Sequence, residues 1–142
     1  MTNAELARGL IGEATEILRE AQGYLQREAW NLAVRRSQEA AELAVKGALR
    51  GTGVEVPRVH DVSAALREHG DRFPSDLRAE IPWVADAVHR LSRERERSLY
   101  GDEQAGRPPQ TLYTREDGHR ALEEAQRVHA WAQRLLDALG GR

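Results

Sequence analysis

No cysteine occurs among the 142 residues. Its absence excludes disulfides, thiolate metal sites and cysteine nucleophiles, and it fits a reducing compartment. No apolar run approaches the roughly 20 residues that a membrane span requires. The opening MTNAELARGL lacks the basic-then-apolar order of a secretory signal. A cytoplasmic protein with no membrane contact is therefore expected. An excess of one charge sign is missing too, since the net charge is −2. The chain is not a generic polyanion binder, and any contact with nucleic acid must come from a local basic patch. Strand-like patterns, internal repeats and low-complexity tracts are all absent. There is no glycine-flanked serine elbow, and Gly51-Thr52-Gly53 is too short to cradle a phosphate.

What remains is helix-forming material. Hydrophobic residues make up 40% of the chain and charged residues 31%, a globular composition. The length suits one domain spanning residues 1–142. Alanine, leucine, glutamate and arginine dominate, and these favour helices. Periodicity predicts five. The first covers about Asn3 to Arg27, capped by Thr2 or Asn3, with a stripe through Leu6, Leu10, Ala14, Ile17, Ala21 and Tyr24. The second covers about Glu28 to Arg50, and its alanines, Ala33, Ala40, Ala44 and Ala48, allow close approach of a neighbour. A loop, Gly53–Val59 with Pro57, precedes a short helix over about Asp61 to Glu68. A fourth begins near Ser75 or Asp76 as cap, meets a boundary or kink at Pro82, and runs through Val84, Val88 and Leu91 into a set of arginines. A long loop from Gly101 to Thr114 follows, of the kind that is functional or mobile. Thr114 caps the last helix with Asp117 as partner, and Gly140-Gly141 ends it. Long helices joined by short connections predict an all-α, up-and-down bundle of four to five helices.

The segment LSRERERSLYGD, residues 91–102, is the chemically richest. Arg93, Arg95 and Arg97 alternate with acids and lead into Tyr100, Gly101 and Asp102. At about 100° per residue a continued helix would place Arg95 on the apolar stripe of Val84, Val88 and Leu91, with Arg93, Arg97 and Tyr100 opposite. Cations in a last turn are favoured by the helix dipole and by pairing with Glu94 and Glu96. A guanidinium near a tyrosine hydroxyl at a helix end is equally suited to phosphate. Both readings stay open on the sequence.

Other chemistry finds less support. Asp86-x-x-His89 and Glu116-x-x-His119 have the spacing of paired carboxylate–histidine ligands, but no inward glutamates accompany them on the first two helices. We expect neither a metal nor another cofactor. Ser37 and Ser92 read as packing residues, His60 as structural, and Glu42–Lys46 as a surface pair.

The order of parts resembles the HEPN domain family. AWNLAVRRSQEAAELAVKGALRGTGVEVPRVHDV, residues 29–62, is similar to that family's second helix and following loop, through Trp30, Gln38, Ala40, Ala41, Glu42, Lys46, Gly51 and His60. RERSLYGD, residues 95–102, resembles its signature at the end of the fourth helix, and LYTREDGHRALEEAQRVHAWAQRLL its last helix, reached through a tyrosine-containing loop. The resemblance implies a homodimer. Many relatives are metal-independent ribonucleases with an arginine, four to six residues, then a histidine. Here Arg95 takes the arginine's place and Glu96 the polar position after it, while Tyr100 stands where the histidine would. A phenol with a pKa near 10 moves protons poorly at neutral pH. Arg95 and Tyr100 are thus the candidate catalytic pair of the enzyme reading. The binding reading assigns Arg93, Arg95, Glu96, Arg97, Tyr100 and Asp102 to a nucleotide, RNA or nucleotidyltransferase partner, as in the toxin-like half of a toxin–antitoxin pair.

Overall fold

The computed structural model describes residues 1–56 and 58–140. Pro57, and Gly141 of the pair expected to close the last helix, lie outside the described residues. Four long helices build the bundle: α1 (Asn3–Gln26), α2 (Trp30–Gly51), α4 (Ser75–Ser92) and α6 (Arg115–Gly140). Two short ones, α3 (Ser63–Glu68) and α5 (Arg97–Tyr100), fill its ends, and the described residues include no named strand.

Local chemistry explains the boundaries. Thr2 caps α1 through a reciprocal box: the Glu5 amide donates to Thr2 Oγ1 at 3.1 Å and the Thr2 amide to Glu5 Oε2 at 3.4 Å. Thr114 and Asp117 repeat the device at α6, at 3.2 and 2.8 Å. Neither Ser75 nor Asp76 caps α4; Pro74 holds that position without a side-chain bond. Pro82 lies inside α4 and marks no boundary, although its missing N–H leaves one carbonyl of the helix without its usual donor. The second helix starts at Trp30 rather than Glu28, because Glu28 adopts a left-handed φ of 61° and turns the chain from α1 into α2.

Small residues set how closely the helices meet. A Cβ on Gly47 would sit 2.7 Å from Ile11 Cγ1, so α2 approaches α1 at a point where nothing larger than hydrogen fits. Gly118 plays the same part where α6 meets the α1–α2 corner, 2.9 Å from Leu25 Cδ2. Ala33, Ala40, Ala41, Ala44 and Ala48 are all fully buried between these helices. Phe73, just before α4, stacks on Trp131 of α6 with centroids 5.2 Å apart, and the Trp131 indole donates to the Leu77 carbonyl of α4 at 3.0 Å. The alanines of α2 are therefore buried within one chain. The large apolar side chains left most open are Met1, Val59, Leu99 and Tyr100.

Candidate phosphate-binding cleft

The fourth helix does not continue through the arginines. α4 ends at Ser92, residues 93–96 form a turn, and α5 restarts at Arg97. Two side chains of α2 dictate this break. Asn31 Nδ2 donates to the Ser98 carbonyl at 3.1 Å, and the Arg35 guanidinium donates to the Arg95 carbonyl. Both carbonyls would otherwise face inward, and Ser98 is fully buried. Arg95 therefore does not extend the Val84–Val88–Leu91 stripe.

Beyond α5 the chain folds back as a strap. The amides and carbonyls of Asp102 and Arg107 exchange two bonds of 2.9 Å, and a single 3₁₀ turn spans Pro109–Thr111. Asp102 Oδ1 also accepts the Ala105 amide at 3.1 Å. Gly101, at φ 80° and ψ −162°, allows the strap to close: a Cβ there would overlap the Arg107 carbonyl oxygen. The strap ends by burying Tyr113, 8% exposed, against the bundle.

Between the 93–97 turn, the strap and α6 lies a cleft of about 540 Å³. Its apolar floor comes from Val34, Leu91, Leu112 and Ala121. Four arginines, Arg90, Arg93, Arg97 and Arg120, and three carboxylates, Glu94, Asp117 and Glu124, surround it. These charges are not evenly matched. Arg90 pairs with Glu124 at 3.0 Å and Arg120 with Asp117 at 3.6 Å. Glu94 accepts the Tyr113 hydroxyl at 2.5 Å. Burial and the adjacent Glu94 carboxylate push the Tyr113 phenol well above its ordinary range, with partial relief from Arg97, so its proton stays in place as a donor. Arg93 and Arg97 alone among the four have no carboxylate within ion-pair distance among the described residues.

The sequence-derived candidates therefore divide. Arg93 and Arg97, both exposed, line the cleft whose floor includes Leu91 and Val34. Arg95 is half-buried outside it, Glu96 and Tyr100 are exposed, and Asp102 is half-buried in the strap. The Glu96 carbonyl instead accepts the Leu99 and Tyr100 amides. Tyr113, Arg90, Arg120 and Glu124 were not singled out from the sequence, although a signal existed. Positions 90, 93 and 97, and positions 117, 120 and 124, are each spaced by three and four.

The second polar cluster lies further along α2. Glu42 accepts from Gln38 at 2.8 Å and from Lys46 at 2.9 Å, and meets His60 Nδ1 at 3.4 Å. With side-chain exposures of 13% and 19%, Glu42 and Lys46 form an enclosed clamp on the 53–60 loop, not a surface pair. Both carboxylate–histidine pairs are engaged elsewhere: His89 binds Asp61 at 2.7 Å, Asp86 binds Arg67 at 2.6 Å, and His119 rests against Trp30.

The order of helices is the one the resemblance implied, with the arginine-bearing segment near the end of α4 and a long last helix. The HEPN domain profile matches residues 7–135, and the chain belongs to the HEPN domain family. Among solved structures it is similar to TT1696 from Thermus thermophilus, at 30% identity and a TM-score of 0.74, covering 91% of this chain and 97% of that one. It is also similar to ST0689, described as an archaeal HEPN homologue, at 27% identity and a TM-score of 0.71, covering 92% and 97%. No curated protein sequence matches the chain. Among the described residues no helix is long and apolar enough to cross a membrane.

Proposed function

We propose that this HEPN protein is a binding module that recognises a phosphate-bearing ligand, a nucleotide or RNA, in the cleft headed by Arg93 and Arg97. The observation that carries the reading is the charge mismatch. Two guanidiniums stand unpaired over an apolar floor, while the two other arginines of the same cleft are neutralised by carboxylates. Unpaired cations in a partly enclosed site favour an anion, and the planar guanidinium matches phosphate geometry. The Tyr113 hydroxyl, its single proton donated to Glu94, fixes that carboxylate at the cleft wall and away from the two guanidiniums. Binding rather than cleavage is favoured because no histidine lines the cleft and Tyr100 is 65% exposed outside it. Two copies of the chain associate through the α5 corner, where Leu99 and Tyr100 lie open side by side.

The test is fluorescence anisotropy with a short 5′-phosphorylated oligoribonucleotide. A charge-assisted bond contributes about 1.5–3 kcal/mol, so Arg93→Ala and Arg97→Ala should each weaken binding roughly ten- to a hundredfold with helicity unchanged. Flat titrations for both variants and the wild type would refute the reading. Cleavage of the probe that is lost in Arg95→Ala would replace it with a ribonuclease.

A further inference from the structure

We infer that the cleft selects a phosphomonoester, the terminal phosphate of one nucleoside unit, over the phosphodiesters inside a strand. This rests on the phosphate reading above and narrows it.

The argument is one of charge placement. The four arginines exceed the three carboxylates by one (4 − 3 = +1), and the surplus is concentrated at Arg93 and Arg97. The rest of the rim is already neutral, through Arg90–Glu124 and Arg120–Asp117. One phosphate thus finds two free guanidiniums. A strand carries a phosphate at every nucleotide, and its next one would meet ion pairs and the Glu94 carboxylate. Two unpaired cations also match a dianion better than a monoanion, and a phosphomonoester approaches two negative charges at neutral pH with a second pKa near 6. A cleft of about 540 Å³ has the size of a small-molecule site, and Val34, Leu91, Leu112 and Ala121 give its charged rim an apolar floor.

Glu94 tempers the attraction. Its carboxylate sits in the same turn as both free arginines and holds the Tyr113 hydroxyl at 2.5 Å. It therefore holds the Tyr113 side chain at the cleft wall, and it opposes any anion that is not drawn in by both guanidiniums, a dianion more than a monoanion. The chemistry is shared by a free nucleoside monophosphate and by a strand's 5′-phosphate, so the test includes both.

The full-length protein would be titrated by calorimetry with adenosine 5′-monophosphate, its methyl ester, adenosine, and one oligoribonucleotide carrying either a 5′-phosphate or a 5′-hydroxyl. The expected result is at least tenfold tighter binding of the monophosphate than of its methyl ester, and of the 5′-phosphorylated strand than of the 5′-hydroxyl strand, with no saturation by adenosine. Arg93→Ala and Arg97→Ala should each remove at least tenfold of the monophosphate's affinity. Glu94→Gln should tighten the monophosphate and widen its lead over the methyl ester, because the lost carboxylate repels a dianion more than a monoanion. No histidine lines the cleft, so the ligand is the group that titrates near pH 6. Affinity for the monophosphate should fall as pH drops through that value, while affinity for the methyl ester holds. Equal binding of monoester and methyl ester, both weakened by the arginine variants, overturns the selectivity and leaves phosphate recognition standing. A 5′-hydroxyl strand that binds as well as its phosphorylated twin does the same. Binding of adenosine alone, indifferent to both arginines, overturns the two readings together.

Discussion

Gly101→Ala strikes the strap at the point where it turns behind the cleft. The backbone there, φ 80° and ψ −162°, belongs to a region essentially reserved for glycine, where another residue costs on the order of 1–3 kcal/mol. The new methyl would also overlap the Arg107 carbonyl oxygen and lie 2.8 Å from the Pro109 nitrogen, both backbone atoms that cannot rotate away. Relieving that overlap means moving the strap and the buried Tyr113 with it, a packing change of about 1–3 kcal/mol. Gly106→Ala is the internal control. It has a positive φ of 66° but nothing within 4 Å of its Cβ, so it should cost only the roughly 1–2 kcal/mol of a left-handed conformation. We expect Gly101→Ala to destabilise by about 2–4 kcal/mol, lowering a urea midpoint by roughly 1–2 M, with amide exchange accelerated across residues 101–114. A Gly101→Ala variant no less stable than Gly106→Ala would refute the docked strap and the cleft wall it forms.

Three further outcomes follow from individual residues. His129 bridges α1 and α6, its Nε2 lying 2.8 Å from Thr15 Oγ1 and 3.3 Å from the Ile11 carbonyl, and burial holds its pKa below the ordinary value. The unfolded chain therefore takes up the proton first as pH falls, so this residue's contribution is intact above about pH 6.5 and shrinks below it. Between pH 7 and 5 the wild type should lose more stability in urea than His129→Gln; parallel losses would contradict it. Glu28→Gly should relax the left-handed turn between α1 and α2 and raise stability by about 0.5–1 kcal/mol, less the small contribution of the exposed Glu28–Arg115 pair, in the same urea assay. Light scattering at micromolar concentration should give a dimer, and Leu99→Glu with Tyr100→Glu a monomer; an unchanged mass in the double variant would move the interface elsewhere.

The bundle was legible in the sequence because its information is local. Stripes spaced by three and four place Ala33, Ala40, Ala44 and Ala48 inside, although α1 buries Ala7, Ile11 and Leu18 rather than Leu6, Leu10 and Ile17, one position away. Thr2 and Thr114 cap their helices as their neighbours Glu5 and Asp117 require. The 93–100 segment was not legible, because its conformation is imposed from far away. Asn31 and Arg35, 67 and 60 residues from their partner carbonyls, end α4 and restart the chain as α5. With the helix broken, the alternation of Arg93, Arg95 and Arg97 loses its meaning. The face that forms the cleft runs through Arg90, Arg93 and Arg97, and Arg95 drops out of it. Tyr113 was hidden for a related reason: its partner, Glu94, looked like the pairing acid of an arginine. The close approach that the alanines of the second helix allow is realised within one chain, at Gly47 and Gly118.

Phosphate recognition by two specific guanidiniums can be read directly at those groups. Side-chain Nε–Hε resonances of the arginines, assigned by single substitutions, would be followed by NMR while adenosine 5′-monophosphate is added. The account predicts that Arg93 and Arg97 shift together and saturate at one ligand concentration, while Arg95 and the glutamate-paired Arg36 stay in place. Shifts confined to Arg95, or no saturable shift at Arg93 and Arg97, would contradict it.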